Sequence, residues 1–156
     1  MKTKTELLLE LWIEARTRFT NQLERLTEDD LKKKLSPSPN SIGFLIRHIG
    51  DVELLFAKNV FGAIDIRVIA KTVIAQKDTG QWTKLNELKT YGEHSFNELK
   101  TIVEQQTETD WETIIETKEF GTKTKAEAFG RIISHTTYHA GQMAIINKYG
   151  KNNETN

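Results

Sequence analysis

His135 and His139 stand four residues apart in the run Ser134-His-Thr-Thr-Tyr-His-Ala-Gly-Gln142. At 3.6 residues per helical turn, that spacing puts two imidazoles next to each other on one face, where both can bind one ion. His48, far upstream, offers a third. Three imidazoles suit a divalent metal and leave a coordination position open for water or substrate, as catalytic zinc sites do; a closed structural site would need a fourth ligand, and no residue clearly supplies one. Zinc and nickel fit such a site best, and manganese, iron or cobalt can also occupy nitrogen sites according to geometry and availability.

Neither feature is decisive by itself. A histidine pair at this spacing can be incidental, and a single histidine at a core edge is ordinary. The helical geometry joins them. Taking about 100° per residue, His135 and His139 fall roughly 50–90° from the centre of the stripe formed by Phe129, Ile132, Ile133, Thr136, Ala140 and Met143, and His48 falls roughly 85° from the centre of its own stripe. All three are groove-edge positions on two different helices. His94 opposes the apolar face of its helix and is read as solvent-exposed. Asp51, one turn after His48, could orient a ligand or act on water held by the ion; a solvated helix position is the other reading. Gln142 could hydrogen-bond near the site or be a polar boundary residue. Tyr138 projects away from the stripe, toward surface or interface.

Other chemistry is disfavoured. The sequence has no Gly-rich phosphate loop, no Gly-x-Ser-x-Gly elbow and no His-Glu-x-x-His run. A metalloprotease would carry a general base between its paired ligands, and those positions hold Thr136, Thr137 and Tyr138. No cysteine is present, which removes disulfides, thiolate ligands and a cysteine nucleophile, so any thiol chemistry needs a thiol from outside. Lysine plus arginine equals aspartate plus glutamate at 22 each, so no overall field recruits a nucleic acid.

Four amphipathic segments must position the histidines. The first, about Thr5 to Leu26, steps through Leu8, Trp12, Ala15, Phe19, Leu23 and Leu26, with Glu, Arg, Asn and Gln filling much of the rest. The prolines of Ser36-Pro-Ser-Pro-Asn40 force a turn. Asn40 or Ser41 can cap a second helix, which carries His48 and runs to about Phe61, with Gly62 as its stop. The stretch from Gly62 to Gly80 reads as a long crossover with some local structure. A third helix is expected over about Gln81 to Gln106, an irregular or partly extended connection over Thr107 to Lys125, and a fourth helix over Lys125 to Lys148, ending at Gly150. Trp12, Trp82 and Trp111 read as packing residues.

At 156 residues and 37% hydrophobic composition, the chain is expected to fold as one domain over 1–150, all-α, a four-helix bundle, with a disordered tail over 151–156. Glu10 and Glu14 interrupt what a signal peptide would keep apolar, and no apolar run approaches the roughly 20 residues of a membrane span, so a cytoplasmic location is expected.

The segments Asn40-Ser-Ile-Gly-Phe-Leu-Ile-Arg-His48-Ile-Gly-Asp-Val-Glu53 and Ile133-Ser-His135-Thr-Thr-Tyr-His139-Ala-Gly-Gln142 resemble those of the DinB-like superfamily, and the resemblance covers nearly the whole chain in helix order and spacing. It implies an up-down-down-up four-helix bundle, commonly a homodimer, with a divalent metal held by His48, His135 and His139. It further implies a metal-dependent transferase or hydrolase acting on a small molecule, with a low-molecular-weight thiol such as bacillithiol or mycothiol as partner. Relatives often carry a basic residue after the second histidine of the pair; Ala140 stands here, so no substrate contact is implied at that position. The competing expectation is a non-catalytic stress-response or binding protein whose ion is structural.

Overall fold

The computed structural model describes residues 1–152. It is mainly helical. Helix α1 (Lys4–Leu23) opens on a reciprocal cap in which the Thr3 side chain accepts from the Glu6 amide and the Glu6 carboxylate accepts from the Thr3 amide. Helix α2 (Ile42–Asn59) is capped by Ser41, whose hydroxyl accepts from the Phe44 amide at 3.1 Å. A five-residue helix α3 (Lys71–Ala75) lies within the expected crossover, followed by α4 (Leu85–Glu104) and α5 (Lys125–Tyr149), the last capped by Thr124 and Glu127 in the manner of α1.

The chain is not purely α-helical. Strands β1 (Lys33–Lys34) and β4 (Lys151–Asn152) pair antiparallel, and so do β2 (Ile114–Thr117) and β3 (Gly121–Thr124), the latter forming a hairpin inside the segment expected to be partly extended. Of the tail expected to be disordered, Lys151 and Asn152 pair with Lys34 and Lys33, and 153–156 lie outside the described residues. The first helix stops at Leu23, short of Leu26, and the third long helix begins at Leu85, after the expected Gln81. Gly43 accounts for part of the latter. It sits where the Trp82 backbone crosses α2, so close that a Cβ would collide with the Trp82 carbonyl; the chain through Trp82 runs across the helix before α4 starts. No described helix is long and apolar enough to cross a membrane.

Each long helix touches two others. Trp12 of α1 meets Phe96 of α4 at 5.0 Å and Phe129 of α5 at 5.7 Å between ring centroids. Further along α1, Arg16 reaches Gly92, and Gln22 donates to the Ala140 carbonyl, so α1 runs against α4 and with α5. Helix α2 lies on α4 through Gly50 against Tyr91 and Glu53 against Ser95, and on α5 through the histidines.

Two apolar clusters fill the interior. One gathers Phe19, Leu31, Ile42, Ile49 and Met143, and the other Trp12, Phe61, Leu99, Trp111 and Phe129. Between them each long helix contributes a buried polar side chain: Arg16 on α1, Glu53 on α2, Ser95 on α4 and Thr136 on α5. Arg16 and Glu53 form an ion pair at 2.8 Å. Arg16 also donates to the Gly92 carbonyl, and the Ser95 hydroxyl donates to Glu53 at 2.7 Å. The sequence reading assigns arginine to the polar face of the first helix; the structure places Arg16 at 6% exposure because its partners on two other helices satisfy it.

Candidate metal centre

His48 comes from the middle of α2, and His135 and His139 from successive turns of α5, on either side of the polar Thr136. The packing of α2 on α5 brings their Nε2 atoms together. His135 Nε2 is 3.2 Å from His48 Nε2 and 3.1 Å from His139 Nε2, and one ligand atom from each ring can be chosen so that all lie within 4.8 Å of one another. Among the described residues no carboxylate or fourth histidine joins this group. His94 is exposed on α4, 3.8 Å from Glu98, and takes no part.

The outward nitrogens set the tautomers. Thr72 donates its hydroxyl proton to Asp51 at 2.8 Å, so its oxygen accepts the Nδ1 proton of His48, 3.0 Å away. Gln142 Oε1 accepts the Nδ1 proton of His139 at 2.7 Å. Both rings therefore turn Nε2 lone pairs inward, toward the Nε2 of His135. His135 has no partner at its buried Nδ1. Three inward nitrogens with at most one proton among them are a donor set short of a cation, and a divalent ion fits it.

Burial is the main cause of the low proton affinity of these rings. It holds His48 down to about 4, helped by neighbouring His139 and opposed by Asp51, and it holds His135 down to about 3, again with the other histidines adding to it. His139 is lowered by burial too, against the pull of Gln142. At neutral pH the lone pairs are free. The unfolded chain takes up these protons near pH 6.5 and the metal-free folded chain only near 4 and below, so the unfolded state binds more protons over that window and stability falls as pH falls. Each of His48 and His135 contributes a slope of up to about 1.4 kcal/mol per pH unit. Urea midpoints of chelated protein should drop steadily from pH 7 to pH 5; a flat profile would contradict this.

Asp51 is fully buried and does not face the nitrogen cluster. It accepts from the Thr72 amide and hydroxyl, from Arg47 Nε at 2.8 Å and from the Tyr91 hydroxyl at 2.6 Å. Burial, followed by that bond to Asp51, raises the Tyr91 phenol above its ordinary value. Asp51 thus reaches His48 only through Thr72. The sequence reading missed Thr72, in the crossover, whose one usable signal was the short helical run around it. Thr72→Val removes the acceptor that fixes His48, and metal affinity should fall about 10–100-fold, while Thr72→Ser restores it. Competition with a chromophoric chelator measures both; equal affinities for Thr72→Val and the parent would remove Thr72 from the centre.

A cavity of about 890 Å³ opens beside the imidazoles. Val52 and Phe56 of α2 and Val60 just after it give it an apolar wall, residues Glu116 to Phe120 of the hairpin continue the lining, and Arg131 and Tyr138 of α5 complete it. Tyr138 is 64% exposed, as expected, and its ring stands edge-on to His139.

Comparison with solved structures gives the same fold at low identity. Crystal structures of a mycothiol-dependent maleylpyruvate isomerase and of a variant of it superpose with TM-scores of 0.68 and 0.71 at 17% and 16% identity, over 92% of this chain and 63% of theirs. The chain thus spans less than two thirds of the isomerase's length. A conserved protein from Enterococcus faecalis superposes with a TM-score of 0.67 at 18% identity, over 95% of this chain and 97% of that one. No curated protein matches the sequence. The sequence profile of the DinB superfamily matches residues 11–143, which include all three histidines, and the chain belongs to that superfamily.

Proposed function

We propose that this protein is a divalent-metal-dependent enzyme acting on a small molecule, with the Nε2 atoms of His48, His135 and His139 as the metal ligands and a low-molecular-weight thiol as cosubstrate in a transfer, isomerisation or hydrolysis reaction. The convergence of three inward-facing imidazole nitrogens at the wall of a large open cavity carries this reading. A bound ion would lower the pKa of a water or thiol and so supply a nucleophile near neutral pH. The chain's own residues do the rest. Thr72 and Gln142 hold two rings in the ligating tautomer, Asp51 holds Thr72, and the apolar wall of Val52, Phe56 and Val60 excludes water around a substrate.

The thiol part rests on the fold shared with a mycothiol-dependent isomerase; the chain has no cysteine, so the thiol would come from outside it. The cavity also favours catalysis over a purely structural ion, which would be enclosed by a fourth protein ligand. The same reading takes residues 1–150 as one domain, with the four long helices as an up-down-down-up bundle. It also takes the molecule to be a homodimer, for which exposed Ile145 and Tyr149 on α5 and Leu7 and Leu11 on α1 are candidate surface. Sedimentation of untagged protein should then give twice the mass of one chain.

Untagged protein should carry about one divalent ion per chain. Loaded protein should turn over electrophilic acceptors with thiols such as bacillithiol or mycothiol, and His48→Ala should not. Turnover no higher than that of the variant across a broad thiol and acceptor panel would overturn the enzymatic reading.

A further inference from the structure

Arg131 stands on α5 four residues before His135, one turn along the same helix face, and lines the same cavity. Its guanidinium lies over the Phe120 ring, 4.8 Å from the centroid, and Phe120 in turn stacks on Phe56 at 5.9 Å. The three form a continuous wall from α5 through the hairpin to α2. The ring lies against the guanidinium, and among the described residues the Arg131 side chain makes no hydrogen bond or ion pair; outside the helix ladder only its backbone carbonyl is engaged, accepting from the Ser134 hydroxyl. A planar guanidinium so held, with its donors free and no carboxylate on it, matches a planar oxyanion.

We propose that Arg131 recognises a carboxylate on the substrate, so that the site takes an amphipathic organic acid: its apolar body lies along Val52, Phe56 and Val60, its carboxylate meets Arg131, and its reacting atom points at the imidazoles. This deepens the reading of the imidazoles as the reacting centre and rests on it for the last of these placements. Glu116, Lys118 and Glu119 of the hairpin share the cavity edge. With Arg131 their formal charges cancel, so selection falls to the one charged group that stacking immobilises. Lys118, the two glutamates and Arg131 all stand at exposed positions; Arg131 alone among them has an aromatic ring against its charged group. If the glutamates dominated instead, the cavity would prefer a cation.

The test uses 3-phenylpropionate, its amide and 3-phenylpropylamine, titrated calorimetrically into untagged protein as purified and after chelation. The carboxylate should bind about tenfold or more tightly than either of the others. Arg131→Gln should abolish that preference with metal content unchanged, and Arg131→Lys should recover part of it. A carboxylate affinity that is the same in Arg131→Gln would overturn the proposal, as would amide or amine binding as tight as the acid, or no detectable binding of the acid at millimolar concentration. Acid binding that vanishes on chelation yet is indifferent to Arg131→Gln would place the carboxylate on the ion and also overturn it. Absence of metal from the parent protein would sink the metal reading alone, because the Arg131 comparison on chelated protein still stands.

Discussion

Glu53→Ala should cost about 3–5 kcal/mol of folding stability, a fall in melting temperature on the order of 10 °C for a chain of this size. Glu53 has no exposure, and it accepts from both Arg16 and Ser95. Its removal strands a guanidinium that is 6% exposed, hemmed by Phe19 and Phe96, with only the Gly92 carbonyl left to accept from it. The penalty comes from the orphaned charge more than from the lost attraction. The double variant Arg16→Met/Glu53→Met should therefore be more stable than Glu53→Ala, although it removes more polar contacts. Chemical denaturation of the three proteins decides it. A loss below about 1 kcal/mol for Glu53→Ala would mean that water reaches the pair and that the polar layer is not sealed.

His135→Ala is expected to have the largest effect on the metal centre. Its Nε2 is the middle of the three, within 3.2 Å of both partners, and removing it leaves two imidazoles to hold an ion. Metal content should fall from about one equivalent to under a tenth, with thiol-dependent turnover lost alongside it. The thermal signature separates this from simple damage. Parent protein should melt higher as ion is added, by about 4 kcal/mol of stability at a thousandfold excess over the dissociation constant, whereas the variant should not respond. Without metal the variant escapes the unpaired buried Nδ1 of His135 and should melt close to the chelated parent. A variant that retains stoichiometric metal would require ligands other than these histidines.

The sequence carried the parts of this site that lie within one helix. The i and i+4 spacing and the stripe-edge positions were enough to expect His48, His135 and His139 in one groove, and capping chemistry offered Asn40 or Ser41 for the start of the second helix, where the structure uses Ser41. What lay between elements was hidden. Thr72 reaches Asp51 across 21 positions, from a helix of five residues with no side-chain cap, and nothing in local periodicity says that such a turn packs on α2. Arg16 occupies a stripe position between Trp12 and Phe19, but its burial depends on Glu53, 37 positions away. The hairpin strands are four residues each, too short for alternation to rise above the threonine-rich composition around them.

The hairpin's place in the cavity has a consequence for how this architecture can change. The imidazoles sit on two helices whose spacing is fixed by the core, so their geometry resists alteration. The hairpin is a ribbon of four registered residue pairs that supplies Glu116 to Phe120 to the cavity lining and none of the imidazoles. One side of the cavity is thereby written on a piece of the chain that holds no imidazole, whereas Arg131 and the apolar wall share the helices of the histidines. An evolutionary lineage, or a library confined to that turn, can reshape that side of the cavity while inheriting the three imidazoles and Arg131 intact.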